Sequence, residues 1–156
     1  MLQMKNIFPG LTVILFLISC ARQPCSMANS VPALVSFSEA ETDTVVVRRF
    51  SKATNFTTLK DTFLLTSATA NFQRMSDTTL LLQNIDQYNI ITSIYDYEIF
   101  IPKANRLFKI SDVVEQIQTE SAGLGKVKCI NPITSYKISG QLIIPTTYFG
   151  YVYLNK

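Results

Sequence analysis

The amino-acid sequence predicts a mainly β protein, an antiparallel β-sandwich or barrel, and three observations lead to this fold class. Short segments rich in β-branched and aromatic residues recur along the chain after residue 43. Clusters of Ser, Asn, Asp, Gly and Pro separate these segments at short intervals. No segment repeats with a fixed period, so the pattern favours a sandwich or a barrel over a solenoid or a propeller.

The first element of the chain is a predicted signal peptide that covers residues 1–19. A short polar head carries one basic residue, Lys5, and an apolar run follows over residues 11–18. A charged head followed by roughly 7–15 apolar residues is typical of a secretory signal. The run is too short to span a membrane as a helix, which takes about 20 residues.

The end of the apolar run reads Leu17-Ile18-Ser19-Cys20 and resembles the lipobox of bacterial lipoproteins. In that family the cysteine thiol is acylated and the signal is cut just before it. The resemblance implies that Cys20 is the lipidated first residue of the mature chain and anchors it to a membrane. Ala21 stands where an aspartate retains such proteins in the inner membrane, so the resemblance implies the outer membrane, with the domain facing the periplasm. An ordinary secretory signal that happens to contain a cysteine is the alternative.

Residues 20–41 are predicted to form a flexible tether, and residues 42–156 the β-sandwich domain. The segment 20–41 is rich in Ser, Ala, Pro, Asn and Gln, a composition that buries too little apolar surface to fold alone. Within it, the apolar run 31–35 is expected to dock on the domain as an edge segment.

The strand candidates share β-branched or aromatic content and turn residues at their ends. They are 44–50, 61–67, 72–75, 78–83, 95–101, 106–110, 134–139, 141–144 and 148–154. The segment 95–101 gives the clearest signal. Tyr95, Tyr97, Ile99 and Ile101 fall on one face and Asp96, Glu98 and Phe100 on the other, as in a half-buried strand.

Residues 111–120 allow two interpretations. Asp112 and Glu115 have the spacing of a capping box, which predicts a short helix near 112–119. Val113, Val114 and Ile117 instead favour an extension of the preceding strand, because β-branched residues suit strands. The strand is slightly favoured.

The composition excludes several kinds of catalytic site. The chain has no histidine, which rules out a Ser-His-Asp triad, a Cys-His dyad and histidine-ligated zinc. The net charge is +3, and the basic residues are scattered apart from the pair Arg48-Arg49. This pattern does not indicate a nucleic-acid partner. We predict no cofactor and no metal site.

Two cysteines remain if Cys20 is lipidated. A disulfide between Cys25 and Cys129 is possible in the oxidising periplasm and would join the tether to the domain. The alternatives are two free thiols or pairing between molecules.

Two residue pairs are candidates for ligand binding. Asp96 and Glu98 lie two apart on a predicted strand and therefore share a face, where they could bind calcium or serve as acid and base. The alternative is a solvent-facing polar surface. Tyr151 and Tyr153 also share a face and could form a strip that binds sugar or peptide. The alternative for these tyrosines is core packing and cross-strand pairing.

A second resemblance covers the later half of the chain. Segments 96–102, 105–112 and 135–141, together with Cys129, are similar to small lipoproteins of Bacteroidota type that have no assigned activity. The resemblance therefore implies no catalytic residue. The predicted function is a non-catalytic binding or structural module of the envelope with a protein or glycan partner. A hydrolase that uses Asp96 and Glu98 on envelope glycans is the alternative.

Overall fold

The structure, a computed structural model, describes residues 30–66, 70–84, 91–121, 127–145 and 150–156. These residues form strands and turns, with no helix among them. The twelve strands are β1 (Val31–Val35), β2 (Thr44–Ser51), β3 (Leu59–Thr66), β4 (Ala70–Ser76), β5 (Thr79–Asn84), β6 (Tyr95–Ile101), β7 (Arg106–Glu115), β8 (Gln118–Ser121), β9 (Val127–Ile130), β10 (Ile133–Ile138), β11 (Gln141–Ile143) and β12 (Tyr151–Asn155).

The strands form two main sheets and a short ribbon. The larger sheet has the order β11-β10-β7-β6-β2-β3, and the smaller has the order β12-β1-β5-β4. Neighbours pair antiparallel, except for β1 and β12, which are parallel. The ribbon consists of β8 and β9. Each main sheet has two terminal strands, so the fold is an open sandwich, and the barrel alternative is wrong.

The core lies between the two main sheets and follows from the alternation of side chains along each strand. In β6, Tyr97, Ile99 and Ile101 are fully buried, and the smaller sheet contributes buried residues such as Leu34 and Leu154. Burying an apolar side chain of this size contributes about 1.5–3 kcal/mol. The alternation predicted for 95–101 therefore gives the correct inward face.

The expectation that the segment 31–35 lies at an edge of the domain is wrong. It forms β1, which lies between β12 and β5 inside the smaller sheet. Residues 31–34 are all buried: Leu34 belongs to the main core, and Val31 and Ala33 pack with Leu81 in a second cluster. The sandwich therefore includes residues 31–35, which their composition had placed in the tether.

The short helix considered near 112–119 is absent, and the favoured strand is correct. β7 continues to Glu115, and β8 begins at Gln118. Asp112 does not cap a helix: its φ is 52°, and the pairing of β7 with β10 is irregular beside it. A bulge at this point lets the long strand bend and brings Val113 into the core.

Several predicted segments fall outside the described residues. The signal peptide 1–19 and the tether residues 20–29 lie there. The same holds for residues 148 and 149 of the last predicted strand, whose described part is β12.

Candidate functional site

A cavity of about 360 Å³ lies on the side of the sandwich where both main sheets end. Its walls come from β7, β10 and β11 of the larger sheet and from β12 of the smaller sheet. β11 and β12 are both terminal strands. The lining residues are mainly apolar and aromatic: Phe108, Tyr136, Ile138, Gln141, Ile143, Ile144, Pro145, Tyr151, Tyr153 and Asn155.

Tyr136 forms the inner wall of this cavity. It lies in β10, points toward the core and is almost fully buried. Burial raises the pKa of its hydroxyl, and a hydrogen bond with the Tyr153 backbone partly opposes this rise. The buried hydroxyl thus ties β10 to β12 and remains neutral at physiological pH.

Tyr151 and Tyr153 line the cavity from β12. They share a face, as the sequence predicts, and their rings meet edge to face with centroids 6.3 Å apart. Tyr151 is half-buried and Tyr153 is exposed, while Val152 and Leu154 between and beyond them fill the core. The tyrosines therefore pack against the fold and still leave aromatic surface for a ligand.

The chemistry of the lining suits binding rather than catalysis. Gln141 and Asn155 supply amides, and no carboxylate, cation or cysteine occurs among the described residues that line the cavity. An apolar concavity with a few polar groups is the usual form of a ligand site. The sequence did not indicate that Tyr136 and Ile144 line a cavity. Local patterns predict strands, but they do not predict which edges of two sheets come into contact.

Asp96 does not face solvent, so the interpretation of its side as a solvated polar face is wrong for this residue. Its exposed fraction is 3%. Residues 52–58, which connect β2 to β3, pass over it, and the Ala53 N–H donates a hydrogen bond to Asp96 Oδ2 at 3.1 Å. Oδ1 is buried and has no hydrogen-bond partner among the described residues. The carboxyl group holds the turn that connects two strands.

Glu98 joins three strands through ion pairs. It lies opposite Arg48 of β2 and Lys109 of β7 in the sheet register. Its two carboxylate oxygens lie 3.4 Å from Arg48 Nη1 and 3.2 Å from Lys109 Nζ. Opposite charges facing each other across strands stabilise a sheet. The two acids proposed as a catalytic pair therefore each have structural contacts.

A further ion pair lies on the inner face near the end of β2. Arg49 donates to both oxygens of Asp61 on β3, and its guanidinium lies over the rings of Phe63 and Tyr95. The hydrogen bonds to Asp61 raise the pKa of Arg49 and lower the pKa of Asp61. This pair joins the edge strand β3 to its neighbour β2.

The remaining sequence predictions concern cysteines and metals. Cys20 and Cys25 lie outside the described residues, so lipidation and the Cys25–Cys129 pairing stay predictions. Cys129, in β9, is disulfide-bonded. Within the described ranges, no three Asp, Glu or Cys residues are grouped closely enough to hold a metal ion. No helix of the described part is long and apolar enough to cross a membrane.

Comparison with protein-family models, with curated protein sequences and with solved structures finds no match for this chain. The class that can be stated is therefore the one that the fold defines, an open two-sheet β-sandwich with an aromatic cavity at one side. The resemblance of the segments around β6 and β7 to lipoproteins of Bacteroidota type stays a prediction.

Proposed function

We propose that this chain is a lipoprotein of the bacterial outer membrane, anchored through Cys20, whose sandwich binds a polypeptide partner of the envelope without catalysis. The observation that carries the proposal of binding is the aromatic cavity between β11 and β12. The anchor rests on the lipobox that ends at Cys20.

The position of the cavity favours an extended polypeptide as the partner. β12 pairs with β1 along one edge, and no described strand pairs with its other edge. Such an edge offers backbone donors and acceptors to an added strand, and neighbouring pockets select its side chains. The cavity beside β12 is large enough for an apolar side chain. A glycan that stacks on Tyr153 is the competing ligand for the same surface.

Catalysis by Asp96 and Glu98 receives no support from their surroundings. Asp96 lies beneath a turn and holds the Ala53 N–H, while Glu98 pairs with two cations. Neither residue lines the cavity. The role proposed for both is to stabilise the larger sheet.

A matched pair of substitutions tests the binding proposal. Ile144 lines the cavity with 69% of its surface exposed, and Leu142, with 57% exposed, lies nearby on β11 outside the lining. A photo-crosslinking residue replaces Tyr153 in the native host. We expect a polypeptide adduct that Ile144→Arg abolishes and Leu142→Arg preserves. Equal adducts in both variants would contradict binding at the cavity, and a glycan adduct would replace the polypeptide partner.

The anchor has a separate test. Intact mass of the protein from the native membrane fraction should equal the acylated chain from Cys20 to Lys156. Cys20→Ala should move the protein out of the membrane fraction. A native protein that is soluble and carries no acyl group would overturn the anchor and leave the cavity proposal standing.

A further inference from the structure

One end of the sandwich is defined by the point where the chain enters it, and we call it the entry end. Ser30 precedes β1 and pairs with Ile91, whose N–H donates to the Ser30 carbonyl at 3.1 Å. Residues 92–94 then lead into β6. The entry to β1 and the start of β6 are therefore neighbours, although they belong to different sheets.

Hydrogen bonds join the rest of the entry end. Lys52 Nζ donates to the Ser93 carbonyl at 3.0 Å and to the Val113 carbonyl at 2.9 Å. The Ser93 N–H donates to Glu115 Oε1 at 2.9 Å. The end of β2, the start of β6 and the end of β7 thus meet here.

The entry end carries large apolar side chains that no described element covers. Four are among the exposed hydrophobic residues of the described chain: Leu59, Ile94, Val114 and Ile117. Ile94 follows Ser93 directly, and Ile117 lies two residues after Glu115, so these two flank the contact between β6 and β7.

The two ends differ in how their basic side chains are paired. The opposite end, formed by the segment after β1 and the turn between β4 and β5, carries four acids: Glu39, Glu41, Asp43 and Asp77. Three of these pair with Arg74, Lys103 and Lys156, so the opposite end has little net charge. The entry end carries Lys52 and Lys60, which form no ion pair among the described residues. Of its acids, Asp61 pairs with Arg49, Asp96 is buried, and Glu115 is turned toward Ser93 and Asn131. The lysines of the entry end attract a surface of anionic phospholipid.

The distance to the proposed anchor sets the reach of the chain. Ser30 is ten residues after Cys20. A chain of this length spans at most about 35 Å when fully extended. The entry end is therefore always within that distance of the membrane that holds Cys20.

We propose that the entry end rests on the phospholipid surface, with Ile94 and Ile117 at the boundary between headgroups and acyl chains. The inference rests on the proposed lipid anchor at Cys20. Apolar side chains beside lysines are the usual composition of a surface that lies in this boundary. A single strand of seven residues spans about 23 Å, so the opposite end stands clear of the lipid.

Tryptophan fluorescence tests this orientation, because the chain contains no tryptophan. Ile94→Trp places a fluorophore at the entry end, and Met75→Trp places one at the opposite end. The two native residues are matched in exposure, at 52% and 50%. The full lipidated protein is reconstituted in vesicles of phosphatidylethanolamine and phosphatidylglycerol with and without acyl-brominated phosphatidylcholine. Ile117→Trp repeats the measurement at an independent position.

We expect bromine to quench the fluorescence of Ile94→Trp and Ile117→Trp on the order of threefold more strongly than that of Met75→Trp, because only the entry end reaches the acyl boundary. Equal quenching at both ends would overturn the inference, as would stronger quenching of the Met75→Trp variant. Flotation with the vesicles checks the anchor in the same samples. If the protein floats with the vesicles but both ends are quenched equally, the anchor stands and the orientation is refuted. If the native protein carries no lipid and does not float, the anchor and the orientation are both refuted.

Discussion

Replacement of Asp96 by alanine tests whether its carboxyl group has a structural or a catalytic role. The buried Oδ2 atom accepts the Ala53 N–H at the turn between β2 and β3. This turn is unusual, because Ala53, Asn55 and Phe56 all have positive φ values. Such conformations are costly for residues other than glycine and persist only where surrounding contacts hold them. Asp96 supplies one of those contacts.

The expected loss follows from two opposing effects. Removal of the acceptor leaves the Ala53 N–H without its partner, which costs about 1–3 kcal/mol. Removal of Oδ1, which is buried without a partner among the described residues, offsets part of this cost. The first effect is larger, because Oδ2 makes a hydrogen bond and the alanine leaves a void beside Phe50. We therefore expect Asp96→Ala to lower the free energy of unfolding by about 1–2 kcal/mol.

Urea denaturation of the domain measures this loss. With the slope of unfolding unchanged, the midpoint should fall by roughly 1 M. Asp96→Asn is the control, because it keeps an acceptor oxygen in the same place and should lose less than half as much. An unchanged midpoint in Asp96→Ala would refute the structural assignment. Asp96 would then again be a candidate catalytic residue of a hydrolase.

Three further predictions concern charge, core and backbone. The pKa of Glu41 is lowered to about 2, mainly by its hydrogen bond with Lys156. The contribution of the ionised Glu41 to folding stability is therefore complete above about pH 4.5 and is lost as the pH falls toward 2. In a carbon-detected NMR titration, Lys156→Met should return the pKa of Glu41 toward 4.5. Ile99→Ala should cost about 2–5 kcal/mol in chemical denaturation, since Ile99 is fully buried in a central strand, whereas the exposed Leu107→Ala should change stability by less than about 0.5 kcal/mol. Ala53 has a φ of 60°, which glycine adopts at a lower cost than alanine. Ala53→Gly should therefore raise the thermal midpoint and increase the free energy of unfolding by about 0.5–1 kcal/mol. A lower midpoint would show that the backbone of Ala53 is not strained.

The larger sheet was predictable because its strands carry their own signals. The segment 44–50 is dense in valine and lies between turn residues, and 95–101 alternates closely. Each of these local patterns corresponds to an observed strand, β2 and β6. The position of β1 was not predictable in the same way. A short apolar run containing Pro32 resembles an edge segment, and its parallel pairing with β12, more than a hundred residues later, leaves no local trace.

The surroundings of Asp96 show a second limit of sequence reasoning. Alternation correctly places Asp96 and Glu98 on the same side of β6, away from Tyr97 and Ile99. It could not indicate that residues 52–58 fold back over one of them and leave the other among cations from both neighbouring strands. Burial of a polar residue depends on what covers the sheet, and here the cover comes from a connection about forty residues earlier in the chain.

The location of the cavity follows from the way the two sheets end. β11 has only three residues, and next to it the almost fully buried Tyr136 forms the inner wall of the cavity that β12 lines from the smaller sheet. The sequence pointed to Tyr151 and Tyr153 but not to Tyr136, because the site needs both sheets. The lining of the cavity runs along the terminal strand β12 from Tyr151 to Asn155, which lies between the entry end and the opposite end. The proposed orientation, with the entry end on lipid, would leave the cavity facing water, so anchoring and partner binding would use different surfaces of one small domain.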